Sequence, residues 1–318
     1  MKKYRLIFFG TPPFALPSLK LLGEDHRYQI VAVVTQSDKA RGRGLRARSS
    51  PVKLMAKSLG LKILEPEKIR KNPGFLEELR KLEPDLIVVV AYGKILPTEV
   101  LNAPKFGALN IHASFLPRHR GASPIQGAIL SGDKETGVTL MKMVLKMDAG
   151  PILAQSRPIK IAEDDTAETL AEKLAPVGAR LLIDNLPGFF AGLLPQTPQA
   201  EALATYTKII EKESARLDWQ KTASELAREI RAYLPWPVSW TTWPSAKGLK
   251  AIKFFRAKVK EGETTLKPGE VAWQEKALLI GTAQGALEIQ ELQLEGKKRL
   301  PSEEFVRGQK GFIRTNLI

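Results

Sequence analysis

Asp85-Leu86-Ile87-Val88-Val89-Val90-Ala91 is the most continuous apolar stretch of strand type in the 318-residue chain. It has no polar alternation. A run of this kind fits a strand covered on both faces, the place taken by a central strand of a parallel sheet. Working outward, residues 5–9 read as a second buried strand ending at Gly10, and the β-branched stretch 29–35 as a third. Short strands are expected over 61–64 and 107–112. Helices are expected over 14–22, over 51–59 after the cap-and-proline pair Ser50-Pro51, and over 73–82 with Phe75, Leu76, Leu79 and Leu82 on one face. Strands alternating with helices predict an α/β fold, a Rossmann-like doubly wound parallel sheet. Further along, 124–131 and 166–190 read as helices, and 136–143 and 152–160 as strands. The proline-bearing stretch 191–206 reads as a linker. Beyond it come a helix over 222–234 and short apolar segments at 239–243, 250–258, 270–273, 277–282 and 286–294. That rhythm predicts a small OB-like β-barrel, with a sandwich as the second choice. The expected organisation is a domain over 1–190, a linker over 191–206 and a second domain over 207–318.

Composition narrows the chemistry. The chain has no cysteine, which removes disulfide scaffolds, thiolate metal sites and cysteine nucleophiles. Its three histidines are His26, His112 and His119, and none stands in an H-x-x-x-H pair. No segment reaches the ~18–20 apolar residues of a membrane span, and the N-terminus lacks the form of a signal peptide. A cytoplasmic protein with no membrane partner is expected, and a monomer is the simplest assembly. The 49 Lys and Arg outweigh 34 Asp and Glu, for a net charge of +15. The densest basic run holds Lys39, Arg41, Arg43, Arg46 and Arg48, with Gly42 and Gly44 between them. Such a run is either a solvated loop or a segment that follows a phosphate backbone.

Gly10-Thr11-Pro12 does not continue into a G-x-G-x-x-G fingerprint, and no Walker A sequence occurs, so neither a dinucleotide nor ATP is expected. Polar chemistry concentrates at 107–127. Asn110 and His112 alternate with Leu109 and Ile111, so they share one face of the expected strand. An amide donor and an imidazole aimed together can stabilise a carbonyl oxygen that becomes anionic. Asp148, beside Gly150 on a loop after the next strand, is the carboxylate within reach of this pair. By spacing alone, Asn110 and His112 are either catalytic or a satisfied structural pair. His26 is expected at the surface, and His119 between Arg118 and Arg120 at the surface or facing a phosphate rather than as a second base. The five tryptophans, all in the second half, are expected to be mainly core residues.

Asn110-Ile111-His112-Ala113-Ser114-Phe115-Leu116-Pro117, followed by Arg120-Gly121 and Pro124-Ile125, resembles the signature of folate-dependent formyltransferases. Asp148-Ala149-Gly150 is similar to their second motif. The resemblance implies 10-formyltetrahydrofolate as the formyl donor and co-substrate, with no metal, and a primary amine as acceptor. It implies catalytic roles for Asn110, His112 and Asp148. It also implies folate contacts from Val90, Tyr92, Ile95 and Leu96, and from Ser114, Phe115, Leu116 and Pro117. Phe9-Gly10-Thr11-Pro12, the loop from Gln36 to Lys53, Thr205-Tyr206-Thr207-Lys208, Leu217-Asp218-Trp219 and Pro235-Trp236-Pro237 resemble the members that formylate methionyl-initiator tRNA. That likeness implies tRNA contacts from Arg41, Arg43, Arg46 and Lys208. Val144 and Lys146 stand where the family pattern carries an acid and a glycine. A family member acting on a small amine, such as a sugar nucleotide, shares Asn110, His112 and Asp148 and stays open. So does an RNA-binding protein that keeps the fold without the reaction.

Overall fold

The computed structural model describes residues 3–41, 46–246 and 248–318, with the backbone alone at 39–41, 46–48 and 310. Two compact units are present. One holds Met1–Pro124, Glu135–Lys160 and Ala171–Lys208; the other holds Ile125–Lys134, Ile161–Leu170 and Ile209–Ile318.

Along the first part of the chain run β1 (Tyr4–Gly10), α1 (Leu16–Glu24), β2 (Tyr28–Val34), β3 (Lys39–Arg41), β4 (Arg46–Arg48), α2 (Pro51–Ser58), β5 (Ile63–Leu64), α3 (Pro73–Lys81), β6 (Leu86–Val90), α4 (Thr98–Leu101) and β7 (Ala108–His112). Then follow β8 (Arg120–Gly121), α5 (Pro124–Leu130), β9 (Glu135–Thr136), β10 (Thr139–Lys142), β11 (Ile152–Gln155), β12 (Ile159–Lys160), α6 (Ala167–Phe190) and β13 (Tyr206–Thr207). Seven strands form the main sheet in the order β11-β10-β7-β6-β1-β2-β5. The five from β5 to β7 pair in parallel, and all of β6 and β7 is buried, as the unbroken apolar runs predict. α3 turns Phe75 and Leu79 into the core, with Leu76 and Leu82 packed beside them.

The parallel expectation ends at β7. β10 pairs antiparallel with β7, and β11 antiparallel with β10. Only the short 143–151 loop joins β10 to β11, and a loop of that length cannot make the crossover that parallel neighbours need. The strand expected over 152–160 breaks after Gln155, with Pro158, which has no N–H for a ladder, ahead of β12. The basic run is a paired hairpin, β3 with β4, on either side of 42–45. The stretch read as a linker packs within the first unit. Thr197 and Ile152 exchange backbone hydrogen bonds of 2.8 and 2.9 Å, and β13 pairs in parallel with β8.

The second unit is built on α7 (Ala223–Ala232), β14 (Trp240–Ser245), β15 (Gly248–Val259), β16 (Val271–Gln274), β17 (Ala277–Gly281), β18 (Ala286–Leu294), β19 (Arg299–Pro301) and α8 (Ser302–Gly308). α7 opens with a capping box between Thr222 and Glu225. The strands make an antiparallel sheet in the order β14-β15-β18-β17-β16, with β19 on β18. Register shifts on either side of Arg256 bend the long β15 and curl the sheet. Its two outer strands are bridged by the C-terminal residues. Thr242 and Ile318 exchange bonds of 3.0 and 2.9 Å, while Val271 bonds Thr315 and Arg314 at 2.9 and 2.8 Å. Trp219, Phe254, Leu287, Leu292, Phe305 and Phe312 fill the interior. Trp219 and Trp243 are core residues, whereas Trp236 stands exposed. Among the described residues, no helix is long and apolar enough to cross a membrane.

Candidate active site

Strand order locates the site. Chain connections leave β1 and β6 in opposite directions across the sheet, so a crevice opens beyond their carboxyl ends, where open α/β sheets bind ligands. Gly10, Val90 and His112 end β1, β6 and β7 on this side. The loop after β6 is pinned through one carbonyl: Tyr92 O accepts from Thr11 Oγ1 at 3.0 Å and from Gln36 Nε2 at 2.8 Å.

Asn110 and His112 lie on one face of β7, opposite Met141 and Thr139 of β10. They are 9% and 5% exposed. His112 Nε2 lies 2.9 Å from the backbone oxygen of His119. A carbonyl only accepts, so Nε2 carries the proton and Nδ1 presents a lone pair. Asp148 Oδ2 lies 3.8 Å from that Nδ1. The His119 carbonyl therefore orients the ring. Asp148 Oδ2 is itself held by the Gly121 N–H at 2.8 Å. The Asn110 amide makes no side-chain hydrogen bond among the described residues.

His119 is not at the surface. It is 5% exposed, because β13 pairs alongside and Thr205 Oγ1 takes its N–H at 2.8 Å. Ala91, His119 and Asp148 all have φ near +50°, at 48°, 57° and 48°. Three non-glycine residues in the left-handed region at one site store strain that the surrounding hydrogen bonds must hold. Two glycines are needed for close approach. A Cβ on Gly150 would lie 1.8 Å from the Lys142 carbonyl, and one on Gly121 (φ +117°) 2.3 Å from that of Thr207.

Arg120 is fully buried here. Its Nε bonds Gln199 Oε1 at 2.9 Å, and its Nη1 bonds Glu201 Oε2 at 2.9 Å and the Tyr206 hydroxyl at 3.1 Å. Hydrogen bonds from Lys146, Arg120 and Tyr206 pull the Glu201 carboxyl down to about 2. Gln199 and Glu201 escaped the sequence reading, and Thr205 entered it only as part of the Thr205–Lys208 motif: all three sit in a polar, proline-bearing stretch, and their partners lie far away in the chain.

The residues implied for folate fall into two groups. Val90, Tyr92, Leu96, Ser114 and Leu116 are buried, at most 3% exposed, and have almost no surface to offer a ligand. The Tyr92 ring packs edge-on to Phe9 at 5.1 Å, and burial pushes its phenol well above the ordinary range. Ser114 Oγ donates to Arg118 O at 2.6 Å. Ile95 is 64% exposed, while Phe115 and Pro117 are half-buried, so these three have surface to offer a ligand. An apolar ring system can meet Ile95, Phe115 and Pro117, whose surface is open to it. Of the residues implied for tRNA, Lys208 is exposed just after β13. Arg43 lies outside the described residues, as do the side chains of Arg41 and Arg46.

Comparison with known proteins agrees with this geometry. Residues 4–186 match the formyl transferase family, and residues 209–310 match the formyl transferase C-terminal domain. The methionyl-tRNA formyltransferase of Caldanaerobacter subterraneus subsp. tengcongensis is 44% identical over 96% of both chains. That of Methylococcus capsulatus is 46% identical over 95% of this chain and 96% of its own. Among solved structures, an N-formyltransferase from Helicobacter canadensis, bound to folinic acid and dTDP-3-aminofucose, superposes with TM-score 0.66 at 20% identity over 90% of this chain and 98% of its own. HypX from Aquifex aeolicus with tetrahydrofolic acid gives TM-score 0.62 at 22% identity over 98% of this chain and 49% of its own. At such identities these two speak for the fold, while the two family matches and the full-length relatives establish that the chain belongs to the formyl transferase family.

Proposed function

We propose that the protein transfers the formyl group of 10-formyltetrahydrofolate to the α-amine of methionyl-initiator tRNA, acting in the cytoplasm as a monomer. The carrying observation is the buried Asn110–His112 pair at the carboxyl end of β7 with Asp148 3.8 Å from His112 Nδ1. The names of full-length relatives at 44–46% identity support the acceptor.

Each residue has a role that its contacts allow. Asn110, its amide free of other partners among the described residues, donates to the formyl oxygen as the attacking amine bonds to the formyl carbon and that oxygen gains charge. His112 Nδ1 takes the proton the amine loses and delivers it to the departing folate nitrogen as the old C–N bond breaks. Asp148 stabilises the imidazolium between these steps. Residues 1–190 are assigned the transfer and 207–318 the grip on tRNA, with Arg41, Arg43, Arg46 and Lys208 meeting phosphates. Such contacts release counterions, so the KM for tRNA should rise steeply with salt.

The test is a formyl-transfer assay with initiator tRNA, charged with methionine or uncharged. Formylation of the charged tRNA alone supports the reading. Formylation of a small amine such as an aminosugar nucleotide, with the charged tRNA untouched, overturns it.

A further inference from the structure

We infer that residues 197–207 are a positioning strap for the reaction, Gln199 setting the Asp148 turn and Thr205 the His112 ring. The inference rests on the catalytic roles proposed above. Asp148 holds a left-handed backbone that an Asp tolerates but does not favour. Gln199 Nε2 donates to the carbonyls on both sides of that turn, Asp148 O at 2.8 Å and Gly150 O at 2.7 Å. Its Oε1 accepts from Arg120 Nε at 2.9 Å. Two carbonyls require the amide N–H groups and a guanidinium requires the amide oxygen, so this side chain has one orientation and no spare polar atom. The residue after Arg120 supplies the N–H that holds the Asp148 carboxylate. Asp148 is thus gripped through its backbone by Gln199 and through its side chain by Gly121.

The same strap reaches His112 by another route. Thr205 Oγ1 accepts the His119 N–H at 2.8 Å, and the His119 carbonyl accepts from His112 Nε2 at 2.9 Å. Thr205 O also takes the Arg120 N–H at 2.8 Å. One stretch of chain therefore sets the spacing of the two groups that pass and stabilise the proton. Lys146 adds an ion pair from the Asp148 loop to Glu201 at 2.6 Å, but both groups are more than half exposed and such pairs contribute little. The part-buried amide and hydroxyl hydrogen bonds carry the positioning. Misplacing reacting groups by about 1 Å costs about 100-fold in rate.

The experiment compares four variants of the full chain in steady-state formylation of charged initiator tRNA, with circular dichroism to confirm folding. Gln199→Leu should lower kcat by about 10- to 100-fold while KM for tRNA and for donor stays within about twofold. Thr205→Ser, which keeps the acceptor oxygen, should retain kcat; the isosteric Thr205→Val should lose about tenfold. Equal kcat in Thr205→Ser and Thr205→Val, or a Gln199→Leu enzyme whose deficit lies in KM alone, overturns the strap. Asp148→Asn separates the two layers. If it is inactive while the Gln199 and Thr205 variants turn over at the parent rate, the strap alone fails. If it too is fully active, the proposed chemistry fails.

Discussion

β7 and β18 are both inner strands of their sheets, yet their polar residues mean opposite things. β18 alternates: its leucines and isoleucine point into the curled sheet, while Glu288, Gln290, Glu291 and Gln293 are half-buried on the other face. Those polar side chains are spent on neighbours: Glu288 pairs with Lys258, Glu291 with Arg299, and Gln293 donates to the Lys297 carbonyl. β7 is buried at every position, so Asn110 and His112 place polar groups on a strand that is otherwise core. A polar group kept in such a place is either satisfied or used. His112 spends one nitrogen on the His119 carbonyl and keeps the other open; Asn110 spends nothing. The comparison teaches that a functional strand is recognised by unspent polarity on a face that burial should have made apolar.

The sharpest break of that comparison is Asn110→Ala. It should lower kcat about 10²–10³-fold, while the urea midpoint barely moves, because no protein partner loses a bond; single-turnover kinetics and equilibrium unfolding check both halves. The mirror experiment is Leu292→Ala on β18, where the removed side chain is fully buried. It should destabilise the second unit by about 2–5 kcal/mol and leave kcat per folded molecule unchanged, read by thermal unfolding beside an active-fraction assay. A smaller effect tests local structure alone. Thr222→Ala removes the capping box of α7 and should cost about 1 kcal/mol without a kinetic signature.

The smallest effect is one of pH. Glu201 titrates at about 2 in the folded protein against 4.5 ordinarily, held down chiefly by Lys146 and then by Arg120 and Tyr206. A lowered carboxylate pKa contributes stability above the ordinary value and loses it as pH falls from about 4.5 towards 2. The group is exposed, so screening keeps the contribution small. Glu201→Gln should flatten that part of the stability profile slightly, and a matched pair of acid titrations followed by circular dichroism would register it.

The elements read most easily were those with a strong local pattern. β1, β2 and β6 announce themselves as apolar runs, α2 by Ser50-Pro51, and the shared face of Asn110 and His112 by the period of two along a strand. Asp148 was legible through its place beside Gly150 on the loop after the next strand and again through its motif. The hairpin of β3 and β4 was not, since a run of arginines and glycines has no alternating apolar face to mark a strand. Neither was the antiparallel edge of the main sheet, whose direction depends on the length of the loop between β10 and β11.

Periodicity, capping and composition are properties of neighbours, so the sequence by itself determined the strand–helix alternation, the second unit's short-stranded character and the shared face of Asn110 and His112 on β7. Tertiary structure alone decided the rest. His119, between two arginines, looks solvated until β13 covers it. Arg120 looks like a surface charge until Gln199, 79 residues away, meets its guanidinium and frees an amide to hold the Asp148 turn. Burial and hydrogen-bond partnership are set by which distant segments the fold brings side by side, and nothing within a few residues of either end of such a pair records the meeting.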